Sequence, residues 1–98
     1  MDASVSTTST PSKSNKSLAL TKAILGAAYF AVNQVEKAAE TYESAIAADP
    51  NLPEPYNNLA NIKKGSGQAD QAIELYRKAI SIDDSYTEAY FNLGLIYQ

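Results

Sequence analysis

Apolar side chains recur along residues 53–82 at spacings of three and four, the interval that gathers them on one face of a helix. Tyr56, Leu59 and Ala60 follow one another in this way, with Lys63 next on the same face, and so do Ala72, Ile73, Tyr76, Ala79 and Ile80. Between the two runs stands Gly-Ser-Gly at 65–67, which stops a helix and permits a tight turn. The pattern predicts a helical hairpin. Upstream, Asn33 and Gln34 take the place of that turn, between an apolar run at 18–32 and a second helical run that includes Ala38, Tyr42, Ala45 and Ile46. The stretches DPNLP (49–53) and DDS (83–85) separate one hairpin from the next. Asn51 with Glu54, Ser85 with Glu88, and Asn33 with Glu36 each set a polar residue three positions before an acid, which predicts capping boxes at the helix restarts.

The hairpins are copies. Shifted by 34 residues, Leu25 meets Leu59 and then Leu93, and Gly26, Ala60 and Gly94 coincide. Ala38 falls on Ala72, Tyr42 on Tyr76, Ala45 on Ala79, Ile46 on Ile80 and Asp49 on Asp83. Tyr29 returns as Tyr97, with Lys63 in between. A period between about 20 and 50 residues marks stacked supersecondary units. One helix pair cannot bury its own apolar face, and a second copy covers it. The small residues let antiparallel backbones approach, and Tyr42 and Tyr76 fill the gap beside them.

Composition narrows the function. At 98 residues and 45% hydrophobic, the chain makes one small domain. It has no cysteine and no histidine, so disulfides, thiolate metal sites and the commonest general base are excluded. No catalytic, cofactor-binding or metal-binding residue is expected, and the chain is not expected to be an enzyme. A net charge of −3 argues against nucleic acid and anionic membrane as partners. Residues 1–17, with six serines and three threonines, predict a disordered tail, and Thr10-Pro11 within it reads as plain linker. The run at 18–32 is too short for a membrane span and is interrupted by Lys22, so it reads as a repeat helix and not as a leader. KKGSGQ (63–68) places its lysines before the glycines and follows no strand, which excludes a phosphate loop. An intracellular location, cytoplasmic or nuclear, is expected.

These residues resemble the tetratricopeptide repeat family. Leu25, Gly26, Tyr29, Ala38, Tyr42, Ala45 and Pro50 match its pattern in a unit at 19–52; Tyr56, Leu59, Ala60, Ala72, Tyr76 and Ala79 match it at 53–86; Tyr90, Leu93, Gly94 and Tyr97 begin a partial unit at 87–98. Lys22, Lys63 and Asp84 depart from it. The resemblance implies an all-α solenoid of antiparallel helix pairs, two full repeats and the first helix of a third. It also implies a concave groove, lined by the first helices, that binds a protein or peptide partner. Carried over, the groove residues are Leu20, Ala23, Ile24, Ala27 and Phe30; Glu54, Asn57, Asn58, Asn61 and Lys64; and Glu88, Phe91, Asn92 and Leu95. Ala23, Ala27, Asn58, Glu88 and Asn92 stand where a clamp for a chaperone's C-terminal carboxylate would need cations and asparagines, and only Asn58 fits. Asn58 and Asn92 repeat at 34 and form a short ladder able to grip a peptide backbone. NNLANIKKGSG and LYRKAI look like the repeats of O-linked N-acetylglucosamine transferases. The alternative reading is thus a fragment of such a protein, whose repeats present substrates to a catalytic domain elsewhere. The apolar helix at 87–98 lacks a partner helix, which is expected of a piece of a longer array or, alternatively, of a chain that self-associates through it.

Overall fold

The computed structural model describes residues 15–98, in which five α-helices succeed one another: α1 (Lys16–Ala31), α2 (Val35–Ala48), α3 (Pro53–Gly65), α4 (Ala69–Ile82) and α5 (Thr87–Ile96). Residues 1–14 of the expected tail lie outside the described residues. Its last residues, Lys16 and Ser17, are helical, because Asn15 caps α1 by accepting the Leu18 N–H at 3.1 Å. The Asn15 N–H also donates to the Ala48 carbonyl at 2.7 Å. The start of α1 is thereby tied to the end of α2, and the pair is antiparallel. None of the described helices is long and apolar enough to cross a membrane.

The turns within the pairs are alike although their sequences differ. In the first, Asn33 N–H donates to the Phe30 carbonyl (2.9 Å) and Gln34 N–H to the Tyr29 carbonyl (2.8 Å). In the second, Gly67 N–H donates to Lys64 (3.1 Å) and Gln68 N–H to Lys63 (2.9 Å). Both are Schellman motifs, and each needs one left-handed residue. Asn33 (φ 66°) and Gly67 (φ 81°) supply it, 34 positions apart. Asn tolerates that conformation and Ala does not. Gly67→Ala is therefore expected to lower stability by about 1–2 kcal/mol, read from the urea midpoint at unchanged m-value.

The predicted capping boxes do not form. Each helix begins one residue too late for them: the caps are Gln34, Leu52 and Tyr86, none of which makes a side-chain capping bond. Glu36, Glu54 and Glu88 still lie in first turns, where they complement the helix dipole. Aspartates order the connections between pairs instead. Asp49 accepts the Asn51 N–H at 3.1 Å, and Asp83 accepts the Ser85 N–H at 3.1 Å and its hydroxyl at 2.7 Å. The Ser85 hydroxyl and N–H hold the Asp83 carboxyl below the ordinary aspartate range.

The core follows the repeat. Tyr56, Ala60, Ala72, Tyr76, Ala79 and Ala89 pack together among α3, α4 and α5, and Ala38, Tyr42, Leu59 and Ile62 pack between α2 and α3. Ile46 and Leu75 border both clusters and make them continuous. Register alone does not decide burial. Leu59 is 4% exposed against α2, whereas Leu25, its equivalent in α1, is 46% exposed with no helix before it among the described residues.

Candidate functional site

The first helices of the pairs lie side by side, α1 against α3 and α3 against α5, while α2 and α4 do not approach one another. The array therefore curves with α1, α3 and α5 on its inner side, and the expected groove residues come from those three helices. Leu20, Ile24 and Phe30 present apolar surface at one end of it and Phe91 and Leu95 at the other; Ile24 is 71% exposed and Phe91 65%. Asn58, Asn61 and Lys64 are half-buried in the middle, Glu54 and Glu88 are exposed, Ala27 is exposed and Ala23 is buried.

Between α1 and α3 lies a cavity of about 220 Å³ lined by Ala27, Phe30, Tyr42, Asn58 and Asn61. Small-molecule sites run from about 300 to 1,000 Å³, so this one matches a single side chain of a larger ligand. Phe30 and Ala27 form its apolar wall. Burial raises the Tyr42 hydroxyl above the usual tyrosine value, and a hydrogen bond with Asn58 partly offsets the rise. The phenol therefore stays neutral. Asn61 accepts the Tyr76 hydroxyl proton at its Oδ1, so its amide N–H groups are what it can offer to a bound chain's carbonyl. Sequence reasoning missed Tyr42 here. Its repeat position marked it as core, yet it also lines the cavity together with Ala27 and Phe30 of α1.

Two groove expectations are corrected. Asn57 is 1% exposed and cannot meet a partner. Its Nδ2 donates to Asn58 Oδ1 and Glu88 Oε1, both at 3.4 Å, and its Oδ1 accepts from Asn92 Nδ2 at 3.2 Å. It is a buried link between α3 and α5. Its equivalent 34 positions earlier, Ala23, is expected in the groove by the same register and is likewise buried, so the sequence carries no signal that separates them from the groove. Each of these residues lies on the side of its helix toward the first helix of the following repeat, whereas Phe91, in the same register, meets no further helix among the described residues and is exposed. The ladder of Asn58 and Asn92 is likewise not two independent rungs, since both amides are joined through Asn57.

Beside this network the groove is acidic. Glu88 Oε1 accepts from Asn57 and, at 3.3 Å, from the Tyr86 hydroxyl. Burial pushes the Tyr86 hydroxyl well above its ordinary value, and the carboxylates of Glu88 and Glu54 add to the effect, which places both near one phenol. No group of His, Cys, Asp or Glu suited to a metal ion occurs among the described residues.

The model of the TPR repeat family matches residues 26–67 and again 64–98. The chain belongs to the tetratricopeptide repeat (TPR) family. No curated protein matches it. Among solved structures, this TPR chain is similar to MamA, with 32% identity and a TM-score of 0.77 over 85% of this chain and 48% of that one. The chain thus spans about half the length of MamA. It is also similar to the first TPR of Spaghetti (RPAP3), at 25% identity and a TM-score of 0.81 over 85% of this chain and 66% of that one. The second TPR of Spaghetti is 28% identical, with a TM-score of 0.79 over 85% and 77%. Both Spaghetti domains were solved bound to the HSP90 peptide SRMEEVD.

Proposed function

We propose that the chain is a non-catalytic protein-interaction module whose inner groove, centred on the Ala27–Phe30–Tyr42–Asn58–Asn61 cavity, binds an extended segment of a partner protein. The observation that carries this reading is the cavity itself, of one-side-chain size and flanked by amides. Peptide binding by the Spaghetti TPRs supports it as a mode of use for this scaffold. Transferase-scaffold function is the weaker reading, because the asparagine ladder it draws on is engaged within the fold: Asn58 and Asn92 are each bonded to the buried Asn57. The exposed Tyr90 and Tyr97 favour a second use, packing of another copy against α5. A solution mass that stays at 10.5 kDa as concentration rises would remove that second use.

Amide shifts of isotope-labelled chain, titrated with a pool of capped peptides, test the groove. Perturbations are expected on α1, α3 and α5 around residues 20–30, 54–64 and 88–95, and they should weaken in a Phe30→Ser variant, whose exposed side chain the fold does not need. Shifts confined to α2 and α4 would reject the proposal.

A further inference from the structure

We infer that the groove selects peptides in which an aliphatic or aromatic anchor is accompanied, two or three positions away, by Lys or Arg, and that it rejects acidic tails; this rests on the groove reading above.

The anchor follows from the cavity. Phe30 and Ala27 give an apolar wall, and Ile24, 71% exposed, extends it toward solvent. Asn58 and Asn61 can serve the peptide backbone on either side of the anchor but cannot neutralise a charge. A neutral side chain is therefore what the cavity accommodates without stranding an ion.

Charge complementarity supplies the basic residue. The groove residues on α3 and α5 include one lysine, Lys64 in the last turn of α3, against two glutamates, Glu54 and Glu88 in the first turns of α3 and α5. Glu54 stands four residues from Asn58, about 6 Å along the helix axis. Glu88 comes across from α5 to a similar range, because Asn57 Nδ2 bonds both Asn58 Oδ1 and Glu88 Oε1 at 3.4 Å. An extended chain advances about 3.3 Å per residue, so these distances give a spacing of about two to three. Glu88 is also held in place. Asn57 and Tyr86 bond the same oxygen, both are neutral, and its second oxygen accepts from neither. A pre-positioned carboxylate beside an exposed one favours a cation and repels the acidic side chains of a peptide such as SRMEEVD. Ala23 and Ala27 supply no counter-charge for such a tail.

The experiment is selection of a random displayed peptide library against the full chain, followed by titration of the enriched peptides against wild type, the double variant Glu54→Gln/Glu88→Gln and Phe30→Ser. Gln at 88 keeps an acceptor for Asn57, so the fold is retained. Expected are sequences with an apolar residue and a Lys or Arg at the stated spacing. Their affinity should fall about three- to tenfold in the double Gln variant and weaken with added salt. It should fall about tenfold or more in Phe30→Ser. Enrichment of acidic sequences, or affinities that ignore the two Gln substitutions while still responding to Phe30→Ser, would overturn the charge selection and leave the groove reading standing. No enrichment over a bare-surface control, or binding indifferent to all three substitutions, would overturn both.

Discussion

Replacement of Tyr76 by Ala is expected to lower stability by about 3–5 kcal/mol, the largest effect of any single side chain here. Tyr76 has no exposed surface and packs with Tyr56, Ala60, Ala72, Ala79 and Ala89, so it joins α3, α4 and α5. The other buried members of its cluster are mostly alanines, which have no side-chain length with which to close the cavity left behind. Truncation also strands the Asn61 oxygen that accepts the Tyr76 hydroxyl. Small domains hold only about 5–15 kcal/mol in all, so much of the array should unfold at ambient temperature. Tyr97→Ala is the matched control. Tyr97 is 59% exposed, and its hydroxyl accepts from Arg77 Nη2 at 2.9 Å on the surface, so its loss should stay within about 0.5 kcal/mol. Urea melts followed by helicity separate the two.

Tyr76→Phe keeps the ring and isolates the hydroxyl. Burial pushes that hydroxyl up to about 12, from 10.0 in an unfolded chain. Between those values the folded state holds a proton that the unfolded state has released. The contribution is therefore fully present below pH 10 and is lost as pH rises toward 12. Tyr42, Tyr56 and Tyr86 are raised by burial as well and act in the same direction. The wild-type chain should consequently lose helicity in this alkaline window, and Tyr76→Phe should lose less stability across it. An identical decline in both would place the linkage on the other tyrosines.

The fold was legible because the period of 34 speaks through many residues at once. Tyr42 and Tyr76, the alanines at 38, 45, 72 and 79, and the turn at Gly65–Gly67 all point to one helix-pair geometry, and a local error cannot move them. The site was legible only in part. Choosing groove residues by their place on the first helices finds Phe30, Asn58 and Asn61, but that rule cannot tell Asn57 from them. Whether a side chain meets solvent or the next first helix depends on how far successive pairs rotate, and that is a property of packing. The capping boxes failed for a related reason. A one-residue difference in where a helix starts is small beside the alternative that Asp49 and Asp83 offer, in which a carboxylate orders the turn before the helix begins. Tyr42 is legible as core but not as part of the cavity lining, because the gap depends on how α1, α2 and α3 come together around it.

The same substitution should have opposite signs at two glycines 68 positions apart in the repeat frame. A Cβ on Gly26 would lie 2.7 Å from Tyr42 Cε1 and 2.9 Å from Cδ1. Tyr42 is 3% exposed, and the open space beside its ring is the groove cavity it lines. Relief requires α1 and α2 to part or the ring to leave its packed position toward that cavity, and overpacking of this kind costs about 1–3 kcal/mol. The gain in helix propensity from Gly to Ala, about 1 kcal/mol, offsets some of it, which leaves Gly26→Ala destabilised by about 1–2 kcal/mol. The second repeat shows what accommodation needs. Ala60 fits beside Tyr76, whose hydroxyl is anchored on Asn61, whereas the residue equivalent to Asn61 in α1 is Ala27 and offers no such anchor. At Gly94 a Cβ meets nothing within 4 Å among the described residues. Only the propensity term remains, reduced by closeness to the helix end, and Gly94→Ala should gain about 0.5–1 kcal/mol. Urea midpoints of the two single variants should thus move in opposite directions. A Gly26→Ala chain as stable as wild type would mean that the first pair can widen to the spacing of the second without cost, and that the close approach of α1 and α2 is not what holds Tyr42 against the cavity.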